Sequence, residues 1–261
     1  PGGVCLNIGC IPSKAIIHAA ERYESLTKHS SENGHMGISI NENPEIDMKG
    51  VVEWKDGIVG RLTKGVETLV KSSGAELING WATFTSSKQC SVKTKEGEIL
   101  IEAENVIIAT GSTHIDLPFM PCDEKFVLSS TGALNLQKVP KKVAIVGGGY
   151  IGLELGCALS KLGSEVTVIE GMDSILAIMD KEIRRPLEIW LKKNKVTVHT
   201  NSLARGTKIK GKGASSKVEL TFEKNSEEQK IIVDKVLVTV GRSPNSRGWG
   251  LENMGIRMDT S

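Results

Sequence analysis

A chain of 261 residues is long enough for one large or two ordinary globular domains, which excludes a peptide or a disulfide-stapled miniprotein. The 33 Lys and Arg against 31 Asp and Glu leave a formal charge of +2 with both signs dispersed, so no electrostatic footprint for nucleic acid or an anionic membrane surface is present. Apolar residues make up 39% and no unbroken run approaches the roughly 18 apolar residues of a spanning helix, so a soluble globular chain without a transmembrane segment is expected.

In chain order, Pro12 suits the first turn of a helix, where its missing N–H costs nothing, and the residues from Ser13 to Lys28 continue without a breaker. A helix over 11–28 is expected, and apolar residues at helical spacing from Val51 to Val70 predict a second over 48–72. The stretches 77–84, 90–94 and 99–103, separated by Ser-Ser-Lys and Lys-Glu-Gly turns, read as an antiparallel meander. Val106-Ile107-Ile108-Ala109 is a continuous apolar run, expected as a buried parallel strand, and Pro118 and Pro121 mark a boundary after it. Residues 142–239 form the most regular block: strands at 143–147, 165–170 and 196–199, helices at 150–162 and 180–194, then a strand pair near 217–222 and 230–240. Such alternation implies right-handed βαβ units on a parallel sheet. The chain opens on Pro1 without an initiator Met or leader, and its tail from Gly250 to Asp259 reads as a loop entering a strand; an internal fragment of a longer protein is expected.

Glycine is 28 of 261 residues, above the background of about 7%, and it gathers in short motifs. Gly147, Gly149 and Gly152 make G-x-G-x-x-G directly after a predicted strand and at the opening of a helix, the context in which that motif binds a dinucleotide. Gly147 permits the tight turn, Gly149 lets the backbone approach a pyrophosphate, and Gly152 allows close helix–strand packing. The helix N-terminus supplies free N–H groups and a positive dipole end. Glu170 follows 23 residues after Gly147, where a carboxylate can bind a ribose diol and would repel a 2′-phosphate. No Arg or Lys stands in Gly171-Met172-Asp173-Ser174, so NAD is favoured over NADP.

Five cysteines, an odd number with one close pair, argue against a secreted disulfide framework and for a reducing compartment. Cys5 and Cys10 form C-x4-C just before Pro12-Ser13-Lys14. Across a regular helix five residues rise about 7.5 Å, too far for a disulfide; a bridge needs a distorted turn, which Gly9 permits. As a staple such a pair closes a short loop worth only about 2 kcal/mol, and as a zinc site it lacks two further ligands. Redox thiols fit better, because a helix N-terminus and Lys14 both favour the thiolate at Cys10. Cys90, Cys122 and Cys157 read as packing residues and the five histidines are scattered, so no metal site and no catalytic base is assigned.

The run Gly2-Gly3-Val4-Cys5-Leu6-Asn7-Ile8-Gly9-Cys10-Ile11-Pro12-Ser13-Lys14 resembles the active-site segment of the flavin-dependent pyridine nucleotide-disulfide oxidoreductases. Leu6, Ile11 and Ser13 together make it most similar to the dihydrolipoamide dehydrogenase branch. Ala109-Thr110-Gly111-Ser112 is similar to the family's flavin-side turn, Gly147–Gly152 with Tyr150, Ile151 and Glu154 to its NAD fingerprint, and Gly241-Arg242-Ser243-Pro244-Asn245 to the segment that returns to the flavin domain.

The resemblance implies an α/β chain of two Rossmann-like domains: residues 1–118 as part of an incomplete FAD-binding domain carrying the meander, 119–243 as the NAD-binding domain, and 244–261 as the return segment. It implies FAD and NAD as cofactors and electron flow from dihydrolipoamide through a Cys5–Cys10 disulfide and FAD to NAD. Cys5 would be the interchange thiol, Cys10 the charge-transfer thiol, and Lys14 with Glu154 the ion pair beside the flavin. Gly3, Lys14, Ala109, Thr110, Gly111, Gly147, Gly149, Tyr150, Ile151, Gly152, Glu170, Gly241 and Arg242 would bind cofactor. The family's amino-terminal FAD fingerprint, its later Gly-Asp and its carboxyl-terminal domain with the catalytic His-Glu pair have no counterpart in the sequence, so turnover by this chain alone is not expected. Partners implied are lipoyl domains of 2-oxoacid dehydrogenase or glycine cleavage complexes and a second copy bound through the carboxyl-terminal domain. Bacterial cytoplasm is the expected compartment, with the mitochondrial matrix as alternative. The competing readings are a related mercuric or glutathione-type reductase and a non-catalytic NAD-binding module. Ala177-Ile178-Met179-Asp180 departs from the family, whose members often carry Pro before the Asp.

Overall fold

The computed structural model describes residues 1–30, 35–213 and 216–259, so the last two residues of the expected return segment lie outside it. Its centre is a five-stranded, all-parallel sheet of β5 (Val127–Leu128), β6 (Lys142–Val146), β7 (Glu165–Ile169), β8 (Thr197–His199) and β12 (Lys235–Val238), in the order β5-β12-β6-β7-β8. β5, β6 and β12 bury both faces, which is why their sequences are apolar without alternation. On β6, Val143 and Ile145 face one core, with Leu153, Leu155, Leu159 and Val166. Ala144 and Val146 face the other, with Val218, Leu220 and Phe222.

The first face is covered by helices. α5 (Tyr150–Lys161) follows β6, and α2 (Cys10–His29) packs on α5 and on α3 (Met48–Ser72). The second face is covered by an antiparallel meander of β9 (Ser202–Lys210), β10 (Lys217–Lys224) and β11 (Glu227–Val233). α6 (Lys181–Lys193) joins β7 to β8, and α4 (Ser130–Ala133) follows β5.

The expected strand at 230–240 is two strands. β11 belongs to the meander and β12 to the parallel sheet, and Asp234 makes the corner. Its carboxylate accepts the Lys142 N–H at 2.7 Å and is paired with the Lys217 ammonium. β9 was not foreseen because Ser202-Leu203-Ala204-Arg205-Gly206-Thr207-Lys208-Ile209-Lys210 is polar and carries a glycine, and the register of its pairing shifts at Thr221/Phe222.

A second small sheet, β1 (Trp81–Phe84), β2 (Gln89–Lys93) and β3 (Glu98–Glu102), is the meander expected before residue 104. It docks on the carboxyl-terminal segment: Phe84 donates its N–H to Trp249 O at 2.8 Å, and the two rings meet edge to face at 5.9 Å. That segment contains a 3-10 turn at Leu251–Met254, and no strand follows it through Asp259, contrary to the expectation for the tail.

One further expectation needs correction. Val106-Ile107-Ile108-Ala109 forms no strand, and Ile107 is 91% exposed. An apolar run becomes a parallel strand only beside a neighbour that accepts its hydrogen bonds, and no described strand flanks this one. The stretch Gly3–His29 is, by length and average hydropathy, apolar enough to cross a membrane, although it holds no unbroken apolar run. In the fold it is two helices broken at Gly9, and the second is packed and ion-paired against α5.

Candidate functional site

The helix expected over 11–28 runs from Cys10 to His29, and a short helix not foreseen, α1 (Gly3–Ile8), precedes it. Gly9 separates them at φ −132° and ψ −112°, outside helical geometry. That break brings the Cα atoms of Cys5 and Cys10 to 4.6 Å and lets them form a disulfide. Both cysteines are exposed. Cys10 opens α2, whose first-turn N–H groups and positive dipole end stabilise a thiolate there, and Lys14 follows one turn later.

Lys14 is ion-paired with Glu154 of α5, Nζ lying 2.5 and 2.6 Å from its two carboxylate oxygens. Seven residues further along each helix, Glu21 pairs with Lys161 at 2.9 Å with the charges exchanged. Seven residues are about two helical turns, so α2 and α5 run side by side in the same direction with an ion pair two turns apart at each end of the contact. Ile16 and Ala20 pack between these pairs into the core that contains Ala158. The helix that carries the disulfide is thereby fixed to the helix that opens at the glycine motif.

At that motif, Gly147 has φ +103°, and a side chain there would meet Thr239 O at 2.6 Å. At Gly152 a Cβ would stand 2.6 Å from Gly147 O and 2.9 Å from an Ile145 methyl, so helix and strand pack as closely as glycine permits. At Gly149 a Cβ would meet nothing within 4 Å. Gly147 and Gly152 thus serve the fold, and the space in front of Gly149 is open. Gly149 is the N-cap of α5 without a side-chain cap, so the first N–H groups of the helix face that space unsatisfied. The motif lines a cleft of about 770 Å³ with Tyr150, Ile151, Glu170, Met172, Gly241 and Arg242 among its walls. Glu170 accepts the Gly148 N–H at 2.5 Å and the Met172 N–H at 2.7 Å, so its carboxylate holds the glycine turn as well as facing the cleft. The loop with Ala177-Ile178-Met179 borders the same cleft.

The two remaining motifs are joined to each other. β4 (Ser112–His114) pairs antiparallel with β13 (Arg242–Pro244), a ribbon the sequence reading missed because each strand has only three residues. Arg242 Nε donates to Ser112 Oγ at 2.8 Å and Nη2 to Ser112 O at 2.5 Å. Thr110 Oγ1 donates to Asn245 O at 2.8 Å, and Asn245 Nδ2 returns a bond to Thr110 O at 3.0 Å. Gly111 turns at φ +72°, and a Cβ there would stand 3.3 Å from a Val4 methyl, so the Ala109-Thr110-Gly111 turn borders the cysteine segment on one side and the Gly241-Arg242 segment on the other. Gly3 lies in the same amino-terminal turn at φ +60°.

The other three cysteines are half-buried and outside the disulfide. Burial, and then the Asp116 carboxylate, push the Cys122 thiol up to about 12. Burial pushes Cys157 up to about 11. Burial also holds His199 below the ordinary histidine value, and its ring packs on Phe222.

The family model for pyridine nucleotide-disulphide oxidoreductases matches residues 1–261. Dihydrolipoyl dehydrogenase of Geobacillus stearothermophilus is 46% identical over 257 residues, 98% of this chain and 53% of the relative. That of Bacillus subtilis is 44% identical over 258 residues, 98% and 53%. The mitochondrial one of Pisum sativum is 40% identical over 261 residues, 99% and 50%. The chain spans about half the length of these relatives. Among solved structures, the HOCl-induced flavoprotein disulfide reductase RclA from Escherichia coli superposes with a TM-score of 0.78 at 27% identity, covering 99% of this chain and 52% of that one. LpdA from Mycobacterium tuberculosis shares the fold with a TM-score of 0.85 at 23% identity, covering 99% and 54%. A disulfide at the head of a helix tied to a glycine-rich helix start agrees with the family model and these relatives, and the chain belongs to the pyridine nucleotide-disulphide oxidoreductase family.

Proposed function

We propose that this chain carries the dithiol-accepting and NAD-binding parts of a dihydrolipoyl dehydrogenase, an enzyme that oxidises dihydrolipoamide to lipoamide. The observation that carries the reading is the Cys5–Cys10 disulfide at the head of the helix whose Lys14 is held by Glu154 of the fingerprint helix. The named relatives, all dihydrolipoyl dehydrogenases, support it over a mercuric or glutathione-type reductase.

A thiolate of the substrate attacks Cys5 Sγ, the Cys5–Cys10 bond breaks, and Cys10 leaves as a thiolate favoured by its helix terminus and by Lys14. The second substrate sulfur then displaces Cys5 from the mixed disulfide, closing the lipoamide ring and leaving two electrons on the cysteine pair. Bound FAD and NAD supply the two-electron carriers that return the pair to the disulfide. Toward FAD this chain would offer Gly3, Lys14, the Ala109-Thr110-Gly111 turn, Gly241 and Arg242. Toward NAD it would offer Gly147, Gly149, Tyr150, Ile151, Gly152 and Glu170, and the open space at Gly149 fits a pyrophosphate.

We assign residues 1–118 to the FAD domain, 119–243 to the NAD domain and 244–261 to the return segment. The partners are lipoyl domains of a 2-oxoacid dehydrogenase or glycine cleavage complex and a second copy of the whole protein. The compartment is bacterial cytoplasm, where a chain with three free cysteines stays reduced. Calorimetric titration of the chain with NAD and with NADP tests the nucleotide assignment: NAD binding at least about tenfold tighter is expected, because Glu170 repels a 2′-phosphate. Equal or reversed affinities contradict it.

A further inference from the structure

Outside the redox pair and the dinucleotide cleft, one group of side chains is used by nothing described so far. His114 ends β4, Asp116 lies two residues on, and Cys122 follows the next turn. One ligating atom from each, an imidazole nitrogen, a carboxylate oxygen and a thiol sulfur, lies within 4.8 Å of the other two. His114 Nε2 stands 3.6 Å from Asp116 Oδ1. Zinc bonds of about 2.0–2.3 Å set edges of about 3.5 Å between tetrahedral ligands, so the His–Asp edge is already at the length such an ion requires.

The backbone holds these three residues in place without a metal. Leu117 and Met120 close the intervening turn, Met120 N–H donating to Leu117 O at 2.8 Å, and Met120 is fully buried in the core beneath the meander. The same Asp116 Oδ1 accepts the Cys122 N–H at 3.1 Å, which fixes the carboxylate, as outer hydrogen bonds orient metal ligands. At the other end Ile115 N–H bonds to Gly241 O at 3.1 Å, so the turn is fixed to the β4–β13 ribbon. The opening is exposed at Asp116, and an ion there would keep a fourth position for water.

We propose that His114, Asp116 and Cys122 form a binding site for a divalent transition ion of the zinc class, separate from the redox pair, which clamps the segment joining the Thr110 turn to the nucleotide-binding sheet. A nitrogen, an oxygen and a thiolate sulfur suit a borderline ion and disfavour magnesium or calcium, which take oxygen ligands. Binding forms a Cys122 sulfur–metal bond and releases the thiol proton to solvent. The spacing H-x-D-x5-C matches no familiar metal signature, which is why the sequence does not display it. The site does not depend on the redox assignment.

Cobalt(II) added to the 261-residue chain, with Cys5–Cys10 kept oxidised so that neither can bind it, is the test. One equivalent is expected to bind with thiolate-to-cobalt charge-transfer absorption, displaced by zinc. Cys122→Ser is expected to abolish that absorption, and His114→Ala and Asp116→Asn each to weaken binding about tenfold or more. Circular dichroism checks that each variant is folded. At a fixed excess of zinc the Tm of the parent chain is expected to rise by more than that of His114→Ala, whose weaker binding stabilises it less. Absence of saturable binding, or charge-transfer absorption and affinity unchanged in Cys122→Ser or His114→Ala, overturns the proposal.

Discussion

Lys14 on α2 holds Glu154 on α5 through both carboxylate oxygens, Nζ lying 2.5 and 2.6 Å from them. The side chains are 58% and 37% exposed, so water screens the pair and it contributes at most about 1 kcal/mol to stability. Its value lies in placing a cation one turn from Cys10. Lys14→Met is expected to change the unfolding free energy by less than about 1 kcal/mol while slowing alkylation of reduced Cys10 at neutral pH, because its thiolate loses a nearby cation. Rates of iodoacetamide labelling against pH check this: the Cys10 profile moves to higher pH and that of Cys90 stays.

Gly149 and Gly152 separate binding from folding. Gly152→Ala puts a methyl 2.6 Å from Gly147 O, and overpacking of this kind costs about 1–3 kcal/mol, read in urea unfolding. Gly149→Val meets no protein atom within 4 Å at its Cβ and has φ −78°, so the chain is expected to fold, at a cost of about 1 kcal/mol for the poorer N-cap. Its branched side chain projects into the open space before the helix N-terminus, and NAD titration is expected to show affinity reduced about a hundredfold, the effect of roughly 2.7 kcal/mol.

Glu170 has two duties, since it accepts the Gly148 and Met172 N–H groups and also faces the cleft. Glu170→Gln removes the charge while leaving one oxygen to accept. A hydrogen bond to a charged group is worth about 1.5–3 kcal/mol against about 1 for a neutral one, so NAD affinity is expected to fall about tenfold and the discrimination against NADP to shrink. Calorimetry with both nucleotides measures the two changes together.

Asp234 sets an acid limit on stability. Burial opposes its ionisation, but the Lys217 ammonium and the Lys142 N–H outweigh burial and hold the carboxyl below its ordinary value. A carboxyl depressed in the folded state stabilises it above the unfolded value of about 3.9 and loses that contribution as pH falls through the lower folded value. Asp234→Asn is expected to cost about 1–3 kcal/mol at pH 7 and the difference from the parent to shrink as pH falls below the unfolded carboxyl value. Urea unfolding at a series of pH values tests this.

The glycine motif, Glu170 and the βαβ order are legible in the sequence because each follows from local chemistry: a strand, a turn that only glycine makes, a helix start. The Gly9 break between Cys5 and Cys10 is legible for the same reason. The division at Asp234 is not, because residues 230–240 read as one β-rich stretch and only its partners, β10 before the corner and β6 after it, separate them. The β4–β13 ribbon and the ion pairs of α2 with α5 join residues 128 to 140 positions apart, so no local pattern announces them, although the family resemblance did pair Lys14 with Glu154. Val106–Ala109 shows the reverse failure: its composition states a preference for burial beside strands that the described fold does not provide.

Cys5–Cys10 is expected to accept electrons from a dithiol of the dihydrolipoamide type. The direct measurement is alkylation of the oxidised chain before and after stoichiometric dihydrolipoamide without oxygen, with the labelled cysteines located by peptide mass. We expect Cys90, Cys122 and Cys157 to behave alike in both samples and two further labels to arrive together on Cys5 and Cys10. Labels on Cys5 and Cys10 already present before the dithiol, or none acquired after it, would contradict the account.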